Sequence, residues 1–185
     1  MTSDRRVKYT EMVLKQTLIA LLADKPITKI TTTEICALAD VNRGTFYSHF
    51  TDQYHLLRQI QDDFAADVRQ LQAKRQADQL TTTAMLTELA EYFHQQLPLC
   101  RVLFTTSGGD DLIAGLIRQA YGEFLDSWRD QGLSSGDVEL LYSFISHGAA
   151  AVLRHWLLSG SPESPSQVAD LIIQVSTRGS ASFRR

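Results

Sequence analysis

The sequence predicts an all-α protein, and three observations carry that expectation. Apolar residues recur at three- and four-residue spacing along most of the 185-residue chain, with no sustained two-residue alternation. The four prolines, Pro26, Pro98, Pro162 and Pro165, and most glycines fall between these periodic stretches. Hydrophobic residues make up 44% of the chain and charged residues 21%, enough apolar surface for a packed core. About nine helices are expected.

The first helix is expected from about Arg5 to Ala23, with Val7, Met12, Leu14, Leu18, Leu21 and Leu22 on one broad face and Lys25-Pro26 ending it. Thr31-x-x-Glu34 reads as a capping box that opens a second helix burying Ile35, Leu38 and Ala39. After Asp40-Val41-Asn42 comes a third, short helix through Phe50. Thr51 or Asp52 caps a long fourth helix reaching to about Arg75, with Leu57, Ile60, Phe64, Val68 and Leu71 as its stripe. The polar QAKRQADQLTTT stretch interrupts the pattern. Beyond it the periodicity predicts helices over Met85–Leu97, after Pro98, over Asp110–Gln131, over Asp137–Leu158 and over Pro165–Thr177.

Residues 31–50, TTTEICALADVNRGTFYSHF, have the form of a helix-turn-helix: two turns of helix, a tight three-residue turn, and a second short helix. Phe46 and Phe50, four apart, face inward. Arg43, Thr45, Tyr47 and His49 are left pointing outward. In such a motif the start of the second helix meets base edges while the first helix crosses the backbone. Charge agrees with that placement. Residues 1–60 hold eight Lys/Arg against six Asp/Glu, a net +2, whereas residues 61–185 hold ten against fifteen, a net −5.

This stretch, with its KPITKIT lead-in and its TDQYHLL continuation, resembles the DNA-binding domain of the TetR family of transcriptional regulators over residues 5–57. The resemblance implies a DNA-binding domain at 1–57 and a helical effector-binding and dimerisation domain at 58–185. It implies that Thr31, with Thr32 and Thr33 beside it, holds a phosphate at the helix N-terminus, where exposed amides favour an anion. Capping alone also explains Thr31. Tyr47 and His49 look like further phosphate partners, although His49 also reads as a plain surface histidine. Arg43 is the base reader, since a guanidinium spans guanine O6 and N7. Thr45 offers a methyl or a hydroxyl, and Gly44 permits close approach of the backbone. Gln53 departs from the family pattern, which has lysine there.

The remaining expectations concern the second domain. Leu141, Ile145, Ala149, Val152 and Trp156 share one side of a helix, and Val168, Leu171, Ile172 and Val175 share one side of the last. Such faces either close the monomer core or join two copies around a palindrome, and dimerisation is the favoured reading. Phe93, Leu103, Phe104, Tyr121, Phe124 and Trp128 line an effector pocket or simply fill the core. Gly108-Gly109-Asp110-Asp111 reads as a chain break and helix cap rather than a metal loop. Histidines 94, 147 and 155 lack metal-ligand spacing, and Cys36 and Cys100 read as small core residues. No metal, cofactor or enzymatic activity is expected. No signal peptide or spanning segment is read, and a reducing cytoplasm is expected.

The expectation is therefore a homodimeric regulator on a palindromic double-stranded DNA operator, a repressor released by a small-molecule effector. The alternative is an activator, or a regulator controlled by a protein partner.

Overall fold

A computed structural model of the chain describes residues 2–77, 82–105, 113–115, 117, 128–129, 133–160 and 162–181. Among these residues there is no strand, and nine helical elements form the fold, eight α-helices and one 3₁₀ turn. The α-helices are α1 (Thr2–Asp24), α2 (Thr32–Ala39), α3 (Arg43–His49), α4 (Gln53–Ala77), α5 (Thr82–Gln95), α6 (Leu97–Thr105), α7 (Ser135–Ser159) and α8 (Pro165–Ala181). The expected helix over Asp110–Gln131 lies mostly outside the described residues; those described at 113–115, 117 and 128–129 are helical. The Gly108–Asp111 segment, Tyr121 and Phe124 lie outside them too.

The chain packs as two units, Met1–Phe64 and Ala65–Arg185, which divide within α4. The sequence places that division after residue 57. The next turns of α4 belong to the first unit for a visible reason: Ile60 and Phe64 are buried, and Asp63 accepts Lys15 Nζ of α1 at 2.5 Å.

The first unit is built on Leu14, Leu18, Ile30, Ile35, Phe46 and Leu56, none more than 1% exposed. Two sequence expectations are corrected here. Val7 and Met12 are exposed, because α1 turns only the Leu14-Leu18-Leu21 stripe inward. Leu38 is 64% exposed; Ile35, Cys36 and Ala39 define the buried arc of α2, and Leu38 falls beyond its edge.

In the second unit α8 packs along α5 and α7, and α6 lies against α7. Phe93, Cys100, Leu103, Ile113 and Ile117 are fully buried there. The Tyr92 hydroxyl donates to Asp67 Oδ2 at 3.0 Å, joining α5 to the second half of α4. Both long C-terminal helices start on serine caps. Ser134 Oγ accepts from Asp137 N at 3.2 Å, so that α7 starts at Ser135, two residues before the start read from the sequence. Ser164 Oγ accepts from Gln167 N while Gln167 Oε1 accepts from Ser164 N, a closed capping box around Pro165. Among the described residues no helix is long and apolar enough to cross a membrane.

Candidate nucleic-acid interface

The helix-turn-helix is set by three local devices. Thr31 caps α2 by accepting from Glu34 N at 3.2 Å. The reciprocal half of the expected box is replaced: the Glu34 carboxylate takes Lys25 Nζ at 2.5 Å instead, and so ties the end of α1 to α2. Asp40 then ends α2 in the left-handed region, φ 52°, a conformation that Asp tolerates because its short polar side chain bonds locally. Asn42 Oδ1 accepts from Gly44 N at 2.7 Å and starts α3. A Cβ on Gly44 would meet that same Asn42 Oδ1 at 3.2 Å, so the glycine makes room for the cap. Asp52, not Thr51, caps α4, accepting from His55 N at 2.7 Å.

Phe46 and Phe50 are buried, 5.9 Å apart at their centroids, and anchor α3. The opposite side of α3 is open. Arg43, Gly44, Thr45 and Tyr47 are exposed, as are Thr31 and Thr33 at the start of α2, with Thr32 half-buried. Tyr47 joins the two helices. Its hydroxyl lies 3.2 Å from the Thr32 hydroxyl, and Arg43 Nη2 donates to it at 3.5 Å. The hydrogen bond to Thr32, and after it the Arg43 guanidinium, hold the phenol below its ordinary value. The Tyr47 bond in turn raises Arg43, which stays a full cation. His49 is half-buried, its Nδ1 3.1 Å from Glu11 Oε1 on α1. The face therefore offers hydroxyls from two helices and one fixed cation, a donor set suited to phosphates and base edges.

The structure brings together Thr32, Arg43 and Tyr47, and leaves Thr33 and Thr45 as exposed side chains beside them. Sequence reasoning missed Glu11, Lys25 and Asn42. Asn42 carries a legible signal, an Asn two residues before a Gly at a helix start; Glu11 carries none, being 38 residues from its partner.

The residues expected to line an effector pocket are interior: Phe93, Leu103, Phe104 and Trp128 are at most 3% exposed. Among the described residues a groove of about 570 Å³ lies between α7 and α8. Leu140, Leu141, Phe144 and Val152 form one wall and Leu171 and Val175 the other. Leu140 and Phe144 are more than 70% exposed, and Leu171 and Val175 more than half exposed. Of the expected dimer residues, Leu141, Ile145, Ala149, Val152, Leu171, Ile172 and Val175 line this groove. Trp156 and Val168 belong to the unit's own core. Each is at most 5% exposed, and Trp156 Nε1 donates to Glu163 O while its ring stacks on His94. Both cysteines are buried, and burial pushes the Cys100 thiol up to about 12. Among the described residues no three His, Cys, Asp or Glu side chains are grouped to hold a metal.

Two family profiles match the chain. Residues 16–60 match the bacterial regulatory proteins of the tetR family, and residues 81–178, more than half the chain, match the C-terminal region of a transcriptional regulator of that family. The chain belongs to the TetR family of transcriptional regulators. Solved structures of the family share the fold. A TetR transcriptional regulator from Streptococcus agalactiae is similar at 19% identity and TM-score 0.71, over 95% of this chain and 98% of that one. The dihydroxyacetone kinase operon activator DhaS is similar at 14% identity and TM-score 0.65, with the same two coverages. FadR of Thermus thermophilus, a TetR-family repressor in complex with lauroyl-CoA, is similar at 16% identity and TM-score 0.57, over 91% and 94%. No curated protein matches the chain significantly in sequence.

Proposed function

We propose that this TetR-family regulator is a homodimeric repressor that reads a palindromic operator with α3 and is released from it by an apolar or neutral small molecule. The observation that carries the DNA reading is the exposed Thr32–Tyr47–Arg43 cluster on a capped, Phe-anchored α3. Arg43 is the base reader; Thr31, Thr32, Thr33, Tyr47 and His49 hold phosphates; Gly44 and Thr45 let the backbone come close. Residues 1–57 are the DNA-binding domain and 58–185 the effector and dimer domain, linked through α4.

Dimerisation is supported by the α7–α8 groove. Phe144 and Leu171, both large and exposed, would otherwise leave a wide apolar face in water. A second copy related by a twofold axis covers that face and places two reading heads on an inverted repeat. The acidic second unit disfavours an anionic effector and leaves an apolar or neutral one. FadR, of the same fold, is a repressor seen with an acyl-CoA, which supports ligand control. An effector works only by its differential affinity for the two states, about 3 kcal/mol for a hundredfold loss of operator affinity.

Transcription in vitro from a promoter bearing the operator tests this. The protein should reduce transcript, and a ligand found by thermal shift should restore it. A rise in transcript on adding protein alone would make the protein an activator.

A further inference from the structure

His49 of α3 pairs with Glu11 of α1. The His49 side chain is 13% exposed, with Nδ1 3.1 Å from Glu11 Oε1; the nearest ring is Phe50, 6.1 Å away. An ionised carboxylate only accepts, so this bond keeps a proton on Nδ1. A neutral ring in that tautomer has a bare Nε2, an acceptor, which cannot donate to a phosphate oxygen. Nε2 becomes a donor only when the ring is the imidazolium.

We propose that Glu11 is a positioning residue for His49 and makes its backbone contact proton-dependent, each reading head taking up a proton as it seats on DNA. The inference rests on the reading of α3 as the DNA-facing helix. In the bound state two anions flank the ring, Glu11 at Nδ1 and a phosphate at Nε2, and both favour the charged form. In the free state no phosphate requires the second proton. The bound state therefore holds more protons, and by linkage affinity falls as pH rises.

On α1, Lys8 and Lys15 stand about a turn to either side of Glu11, and Lys15 is held by Asp63 of α4. On α2, Glu34 is held by Lys25; on α3, Arg43 is bonded to Tyr47. On α4, His55 lies across the Phe50 ring at 5.7 Å, its Nδ1 accepting from Thr51 N, while Asp52 accepts from the His55 amide. His55 is the second imidazole in the unit and needs its own control.

The test is fluorescence anisotropy of the full chain on an operator duplex and on a scrambled one, from pH 5.5 to 8.5 at constant ionic strength. Affinity for both duplexes should fall with pH, by up to about tenfold per pH unit for each head engaged. Glu11→Gln frees the ring to carry its proton on Nε2 while neutral, so the slope should vanish and binding at pH 8 should match or exceed that of the native chain. His49→Gln, with a neutral amide donor, should also flatten the profile. A Glu11→Gln chain that binds more weakly at every pH with the slope unchanged would show a purely structural contact and overturn the proposal. So would a flat profile in the native chain, or a slope that disappears only with His55→Gln. Absence of operator binding at every pH would instead remove the DNA-binding reading on which the proposal stands.

Discussion

The guanidinium of Arg43 lies over the ring of Tyr47, 5.9 Å from its centroid, with Nη2 3.5 Å from the phenol oxygen. The same oxygen is 3.2 Å from the Thr32 hydroxyl, so one phenol ties Arg43 of α3 to the start of α2. The two substitutions in this cluster should separate. Arg43→Ala should cost roughly ten- to a hundredfold on the operator and relax preference at one base position. Tyr47→Phe should weaken operator and scrambled duplexes alike, because the lost hydroxyl is the proposed phosphate partner while the ring beneath the Arg43 guanidinium remains. Anisotropy titrations on both duplexes distinguish the two patterns.

Gly44→Ala should weaken the start of α3. The new Cβ meets Asn42 Oδ1 at 3.2 Å, so the cap must shift by a few tenths of an ångström. A loss of about 0.5–2 kcal/mol, the usual worth of a cap, is expected in denaturant unfolding followed by far-UV circular dichroism. In Asn42→Ala the cap is already gone, so adding Gly44→Ala should cost little more.

Thr31→Ala removes the acceptor for Glu34 N and should cost about 1 kcal/mol of stability. Thr31→Ser should restore it. If DNA affinity drops by more in Thr31→Ala than the loss of folded protein explains, Thr31 also contacts phosphate, and the two readings of this residue are resolved by one pair of measurements.

Much of the first unit is legible in the sequence because its devices are local. Thr31, Asn42 and Asp52 each sit within three residues of the amide they cap, and Phe46 and Phe50 share a face through helical spacing. The missed contacts are those that close through space. Glu11 reaches His49 across 38 residues and Lys15 reaches Asp63 across 48, and no pattern within a helix marks either pair. Leu38 shows the other limit: periodicity names an apolar face, but neighbouring helices decide how wide an arc is buried. In the second unit the same limit moved Trp156 and Val168 inward and left Leu140 and Phe144 at the open groove.

The exposed groove makes the assembly testable. Phe144→Glu with Leu171→Glu places two charges on the apolar face and should raise the dimer dissociation constant at least about a hundredfold, some 2.7 kcal/mol. Sedimentation velocity should then show monomers, and operator affinity should collapse because two heads no longer bind as one. A chain that stays dimeric would place the interface elsewhere.

Burial, and after it the Asp67 carboxylate, raise the Tyr92 phenol above its ordinary value near 10. The folded state therefore keeps a proton that the unfolded state gives up. Stability from this group is complete below pH 10 and falls as pH climbs past it. Tyr92→Phe should be less dependent on pH between 9 and 11 in thermal melts than the native chain, whatever its effect at pH 7.

The most direct measurement of the central claim is selection of duplexes from a random pool by the full-length chain, followed by sequencing of what is retained. Two copies reading through α3 should enrich one inverted repeat with half-site centres about 10 base pairs or more apart, and Arg43→Ala should blur the same base in both halves. A pool that stays random, or that enriches a single unrepeated site which Arg43→Ala reads unchanged, would contradict a dimer that reads DNA with α3.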